Sequence, residues 1–205
     1  RSGAIWAILL GTPCTGWTPA RTTGTASPPS SRCVNFTVRI LDLCYRMGVH
    51  VVLENPARSR LFQHRGIARA LRRLGAAHLV FDMCAFGTAW KKPTAIATTL
   101  PSAERLARRC PCAGAPHVVL QGKVRLPGQR SEWRAAYAAA YPPELCRALA
   151  GLLGECAPPR AWRRAREAPL DPCWGRRLAS AAGTEHRSDW RYAELAAVGG
   201  AARCD

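Results

Sequence analysis

The sequence predicts an α/β fold on a parallel sheet, with a loosely folded C-terminal tail. Three observations carry that expectation. Apolar runs of strand length recur at 5–10 (IWAILL), 50–54 (HVVLE), 77–83 (AHLVFDM) and 117–121 (HVVLQ). Stretches of helical spacing separate the first three of them, and the first two runs break off at turn residues, Gly11-Thr12-Pro13 and Asn55-Pro56. Continuous rather than alternating apolarity marks strands buried on both faces, as in parallel sheets with helical crossovers. At 205 residues the chain is long enough for one domain with a sizeable core.

The elements follow in order. The first strand ends in a small-residue turn that carries Cys14, with Gly16 and Trp17 beside it. The stretch 22–31, rich in Thr, Ser, Pro and Gly, is expected to be a mobile loop with Pro28-Pro29 as a breaker. Phe36, Ile40, Leu43, Cys44 and Met47 recur at helical spacing over 35–47, and Gly48 ends that helix. Strand, turn with Cys14, helix, strand, turn with Glu54 is a right-handed βαβ unit. Its strands are parallel, so Cys14 and Glu54 emerge at one sheet edge, the edge where ligands bind in open α/β sheets.

A second helix, 63–74, turns Ile67, Leu71 and Leu74 inward and Arg65, Arg69, Arg72 and Arg73 outward. After the third strand, 84–94 is expected to be a loop holding Gly87 and Lys91-Lys92-Pro93-Thr94. Ser102 caps a short helix to Arg109, and the fourth strand leads into Gly122-Lys123-Val124-Arg125. Helices are expected over 131–140 and 142–153, and no internal repeat is present. Residues 1–153 are thus read as the folded α/β region. Residues 154–205, with Pro158-Pro159, Gly199-Gly200 and arginine-rich patches, are read as a basic, disordered tail that Trp162, Trp174 and Trp190 could pin in part.

Charge and cysteine usage narrow the function. The net charge is +17, and residues 57–134 hold fifteen Lys/Arg against three Asp/Glu. Such a surplus, mostly arginine, suits a polyanion. The expected partner is nucleic acid, DNA or RNA. No apolar run near the start is long enough to span a bilayer, so no membrane partner is expected. Ten cysteines in apolar or helical stretches point to free thiols in a reducing, intracellular compartment, the nucleus if the source is a eukaryote. The chain begins inside a strand-like run without an initiator methionine or a signal peptide, and is read as a piece of a longer one.

Three short motifs then fall into place. Pro13-Cys14-Thr15-Gly16-Trp17-Thr18 resembles the Pro-Cys-Gln-x-Phe-Ser turn of the cytosine carbon-5 DNA methyltransferases. Glu54-Asn55-Pro56 resembles their Glu-Asn-Val motif, and Gln121-Gly122-Lys123-Val124-Arg125 their Gln-x-Arg-x-Arg motif with lysine for the first arginine. The motifs occur in the family's order over roughly the first 125 residues. The resemblance implies a Rossmann-like fold in which Cys14 adds to carbon 6 of a flipped cytosine and Glu54 serves ring nitrogen 3. Arg125 and Lys123 would orient the base. Trp17, Arg21, Lys91, Lys92 and Gln121 would contact the nucleic acid.

The resemblance also implies S-adenosylmethionine as cofactor, yet the family's Phe-x-Gly-x-Gly loop is absent and no later stretch replaces it. The interval from Arg125 to Tyr141 is too short for a target-recognition domain. The chain therefore reads as the catalytic-loop half of such a domain, incomplete or inactive by itself. The Pro-Cys, Glu-Asn-Pro and Lys-Pro-Thr arrangement also resembles methyltransferase-like regions of mobile-element polyproteins.

Other classes compete. One is a non-catalytic nucleic-acid-binding module with zinc held by Cys110, Cys112 and His117, and Cys84 nearby. That spacing is not a standard finger and Pro111 crowds the pair, so no metal is assigned. An inert interaction scaffold needs only the basic face. A cysteine protease pairing Cys14 with His50 or His117 is set aside, because no protease signature surrounds Cys14.

Overall fold

The computed structural model describes residues 5–18, 27–124 and 132–158. Its centre is a four-stranded sheet: β1 (Ala7–Gly11), β2 (His50–Pro56), β3 (Ala77–Asp82) and β4 (Pro93–Thr98), in the order β1-β2-β4-β3. β1 and β2 pair in parallel, Ala7 opposite His50 through Gly11 opposite Glu54. β4 runs antiparallel to both neighbours, with Glu54 opposite Ile96 and Val80 opposite Ala95. The fold is therefore α/β with a parallel pair, and the sheet is mixed, not parallel throughout.

The sheet corrects the expected fourth strand. Residues 117–121 form no strand and run without regular secondary structure, with Val118 buried and its N–H donating to the Ala89 carbonyl at 2.9 Å. The position beside β2 is filled by β4, of which Pro93 and Thr94 fall in the expected loop and 95–98 in a stretch with no expected element. Its side chains are small (Thr94, Ala95, Ala97, Thr98), so it carries little of the bulky β-branched signal that marks a strand, but it is buried almost throughout.

Helix α1 (Pro28–Met47) joins β1 to β2 and begins seven residues earlier than its apolar spacing indicates. Pro28 and Pro29 open it instead of breaking it, because the first turn needs no N–H donors. Its buried face is Val34, Thr37, Leu41 and Cys44, whereas Phe36, Leu43 and Met47 are exposed. Gly48, at φ 64°, closes the helix by donating its N–H to the Cys44 carbonyl. Helix α2 (Arg65–Leu74) packs beside α1 and buries Ile67 and Leu71 as expected, together with Ala70, while Leu74 is half-buried.

The expected helix at 102–109 is a single 3-10 turn, Ala103–Leu106. The expected helix at 131–140 is a two-residue strand β6 (Glu132–Trp133), paired with β5 (Lys123–Val124), followed by the short α3 (Arg134–Tyr137). Helix α4 (Pro143–Cys156) matches its expected start and continues three residues beyond the boundary drawn at 153.

Alternation along β2 divides two cores across the sheet. Val51 and Leu53 join Val34, Leu41, Leu61 and Ile67 on the α1/α2 face. Val52 joins Phe81, Phe86, Trp90, Ile96, Leu145 and Leu149 on the α4 face. By the same two-residue period Glu54 projects toward the α4 face, at the carboxyl end of a central strand.

Candidate functional site

The site is built where β1 and β2 end together. Gly11 lies opposite Glu54, so the Thr12-Pro13-Cys14 turn and the Glu54 carboxyl leave the sheet at one edge, as the βαβ reading predicts. Glu54 Oε2 accepts a hydrogen bond from the Tyr141 hydroxyl at 3.1 Å, while Oε1 is buried without a protein partner. A Cβ placed on Gly11 would come to 3.7 Å from the Tyr141 hydroxyl oxygen, so that hydroxyl lies against the Gly11–Glu54 pair. Burial raises the pKa of Glu54 above the usual carboxylate range; the Lys92 charge and the Tyr141 hydrogen bond offset this only in part. Burial and the neighbouring Glu54 in turn push Tyr141 up, which keeps it a donor.

Neighbouring contacts fix the Cys14 turn. Asn55 is buried and donates from Nδ2 to the Thr12 carbonyl at 2.6 Å and to the Glu54 carbonyl at 3.0 Å. The Thr12 and Thr37 hydroxyls lie 2.8 Å apart. Thr37 gives its proton to the Cys33 carbonyl at 2.9 Å, so Thr12 is the donor of that pair. The Cys14 carbonyl accepts the Trp17 N–H at 2.8 Å, closing a turn around the half-buried thiol. Asn55 and Thr37 thereby hold the turn from β2 and from α1 at once.

The remaining expected residues are scattered. Trp17 packs against the α1/α2 core, edge-on to His64 with ring centroids 5.3 Å apart. Lys92 is half-buried and donates to the Ala138 carbonyl at 2.8 Å, so it belongs to the site's frame, whereas Lys91 is exposed. Gln121 and Lys123 are exposed, and the Lys123 ammonium sits 5.0 Å from the centre of the Trp133 ring. Among the described residues no hydrogen bond or ion pair joins Gln121 or Lys123 to Cys14 or Glu54. Arg21 and Arg125 lie outside the described residues. His50, considered as a protease partner, pairs with Ala7 at the far end of β2. Sequence reasoning missed Tyr141 as the partner of Glu54; its only signal was a tyrosine just before the prolines that open α4.

A second constellation lies where β3 ends. Cys84, on the 3-10 turn Met83–Phe86, meets Cys110, Cys112 and His117 from the following loop, with all four ligand atoms within 4.8 Å of one another. Cys110 Sγ is 3.5 Å from His117 Nε2. Burial, reinforced by Cys110, pushes the Cys84 thiol up to about 11, while the Cys112 N–H directed at Cys110 lowers that thiol. Both constellations are made of groups that can bind or react; the first sets a half-buried thiol and a half-buried carboxyl at the ends of the two paired parallel strands.

Comparison of the chain with protein-family models, with curated proteins and with solved structures finds no match.

Proposed function

We propose that this chain carries the catalytic-loop half of a Rossmann-like, cytosine carbon-5 DNA methyltransferase-like domain. The observation that carries the reading is the parallel register of β1 and β2, which brings the Pro-Cys turn and a half-buried glutamic acid to one edge. A carboxyl whose burial favours the protonated form suits an acid that serves a ring nitrogen near neutral pH. In this reading the Cys14 thiolate adds to carbon 6 of a flipped cytosine. The C5=C6 π pair shifts to form C4=C5, and the C4=N3 pair moves onto N3, which takes the proton of Glu54. Tyr141 and Lys92 hold the Glu54 carboxylate left behind, and Lys91 with the exposed arginines of α2 supplies phosphate contacts of the right type.

Methyl transfer itself is not assigned to this chain. The family's Phe-x-Gly-x-Gly loop for S-adenosylmethionine is absent from the sequence. The addition step is testable without a methyl donor. Once carbon 6 is occupied, carbon 5 accepts a proton from water, loses its original hydrogen, and expels the thiolate. The 205-residue chain should therefore release tritium from duplex DNA carrying [5-³H]cytosine, and Cys14→Ser and Glu54→Gln should abolish or sharply slow the release. DNA bound without tritium release would defeat this reading.

A second reading is supported by a different observation, the exposed Arg65, Arg69 and Arg72 on α2 together with Lys91. It makes the chain a non-catalytic nucleic-acid-binding module. That reading expects DNA binding to be steeply salt-dependent and indifferent to Cys14→Ser.

A further inference from the structure

We propose that Cys84, Cys110, Cys112 and His117 form a tetrahedral zinc site of structural type, which fastens the loop 107–122 to the end of β3. The proposal stands apart from the cytosine chemistry, in which none of the four residues is given a part.

Geometry comes first. Zinc holds thiolate sulfur at about 2.3 Å and imidazole nitrogen at about 2.0–2.1 Å, so the corners of a tetrahedral site lie about 3.5–3.8 Å apart. The Cys110 Sγ to His117 Nε2 separation is 3.5 Å, and no pair of the four ligand atoms exceeds 4.8 Å. Small rotations of the side chains would close the remainder. The donor set is equally informative. Three sulfurs and one imidazole, without a carboxylate, favour zinc over the hard cations, and four protein ligands leave no position for substrate. That makes the site structural.

The backbone has been shaped to bring these residues together. The Asp82 N–H donates to the Arg108 carbonyl at 3.0 Å, and the buried Asp82 carboxylate accepts the Cys110 N–H, also at 3.0 Å. Cys110 is thereby clamped two residues upstream of Cys84. Between Cys112 and His117 the chain reverses through Ala113 at φ 42° and Gly114 at φ 88°, with the Ala115 N–H bonded to the Cys112 carbonyl at 2.7 Å. An alanine in the left-handed region is disfavoured unless something holds it there, and a metal joined to both ends of the turn would do so. Pro111, which crowds the pair in sequence, instead spaces two thiols that converge on one point.

The loop also needs such an anchor. Residues 107–122 contain neither helix nor strand, long for an irregular segment inside a compact domain, and Val118 is its one deeply buried large apolar side chain. A metal clip closing a loop of this length removes much of the unfolded chain's freedom. Three thiolates and a neutral imidazole around Zn²⁺ leave a net charge of −1, and Lys91, whose charge acts on Cys110, stands ready to balance it. The thiols release their protons to solvent as the metal binds.

The test uses the 205-residue chain purified without chelator. Elemental analysis should find one zinc per chain, and Co²⁺ in its place should show tetrahedral ligand-field bands with thiolate charge transfer. Cys112→Ser should weaken zinc binding by at least about 10–100-fold, the loss typical of disturbing even an outer partner of a metal ligand. His117→Cys should keep the stoichiometry and strengthen the thiolate charge transfer, which guards against a variant that merely fails to fold. Cys14→Ser should leave zinc content unchanged, so that failure of the cytosine chemistry is read separately. A chain with far less than one zinc, a cobalt spectrum without thiolate charge transfer, or zinc retained at full affinity in both Cys84→Ser and Cys112→Ser would overturn the proposal.

Discussion

Replacing Tyr141 with Phe tests the electrostatics of the sheet edge most sharply. The substitution removes one hydroxyl, the 3.1 Å donor to Glu54 Oε2, and leaves a carboxyl whose other oxygen is already buried without a protein partner. A hydrogen bond to a charged group is worth about 1.5–3 kcal/mol and a neutral one about 0.5–1.5 kcal/mol. Both residues keep some access to water, so the loss where Glu54 is ionised should fall at the low end of the charged range, about 1.5–2 kcal/mol. The sign of the pH dependence follows from the raised pKa of Glu54. The fold favours the protonated acid, so the stability it contributes is full below the unfolded carboxyl pKa and is lost as pH rises through the folded one. Removing Tyr141 takes away an interaction that lowers that pKa and pushes it further up. The penalty of Tyr141→Phe should therefore be small in acid and grow as pH rises through the folded pKa of Glu54. In the Glu54→Gln background it should shrink to about 0.5–1.5 kcal/mol and lose its pH dependence. Urea unfolding of the four proteins across that pH range measures all of this. An equal penalty at every pH and in both backgrounds would refute the reasoning.

Other consequences are more local. Asn55→Ala should cost about 1–3 kcal/mol by orphaning the Thr12 carbonyl, and should speed alkylation of Cys14 by freeing its turn. Leu53→Ala, at a fully buried position beside Glu54, should cost about 2–5 kcal/mol in denaturant unfolding. Gly48→Ala, at φ 64°, should cost about 1–2 kcal/mol by forcing a side chain into the left-handed cap of α1, read as a fall in thermal midpoint. Breaking the exposed Arg108–Glu144 pair with Glu144→Gln should cost under about 1 kcal/mol, and less still at high salt.

The parts of the fold legible in sequence were those with a strong period. β1, α1, β2, α2 and β3 follow directly from apolar runs and helical spacing, and with them the convergence of Cys14 and Glu54. What escaped was set by tertiary context. β4 is a strand of threonines and alanines whose burial comes from lying between β2 and β3, not from its own hydrophobicity. The segment 117–121 has strand-like residues, yet it joins no strand of the sheet, and its Val118 N–H bonds to the Ala89 carbonyl, outside any strand. Phe36, Leu43 and Met47 gave α1 much of its apparent stripe but are exposed, whereas Cys44 of that stripe packs inward together with Val34 and Leu41. In the site, strand ends could be read from the turns that stop them. Tyr141, separated from Glu54 by 87 residues, had no local pattern to announce it. Cys84 and the Cys110, Cys112, His117 group were recognisable by residue type, but only the three-dimensional structure brings their ligand atoms within 4.8 Å.

The most direct test of the central claim is to expose the chain to duplex DNA containing 5-azacytosine, whose ring nitrogen makes carbon 6 more electrophilic, and to map any covalent adduct by tandem mass spectrometry. The account predicts an adduct on Cys14 that disappears in Cys14→Ser and forms more slowly in Glu54→Gln. DNA that binds without forming an adduct, or an adduct on another cysteine that persists in Cys14→Ser, would contradict it.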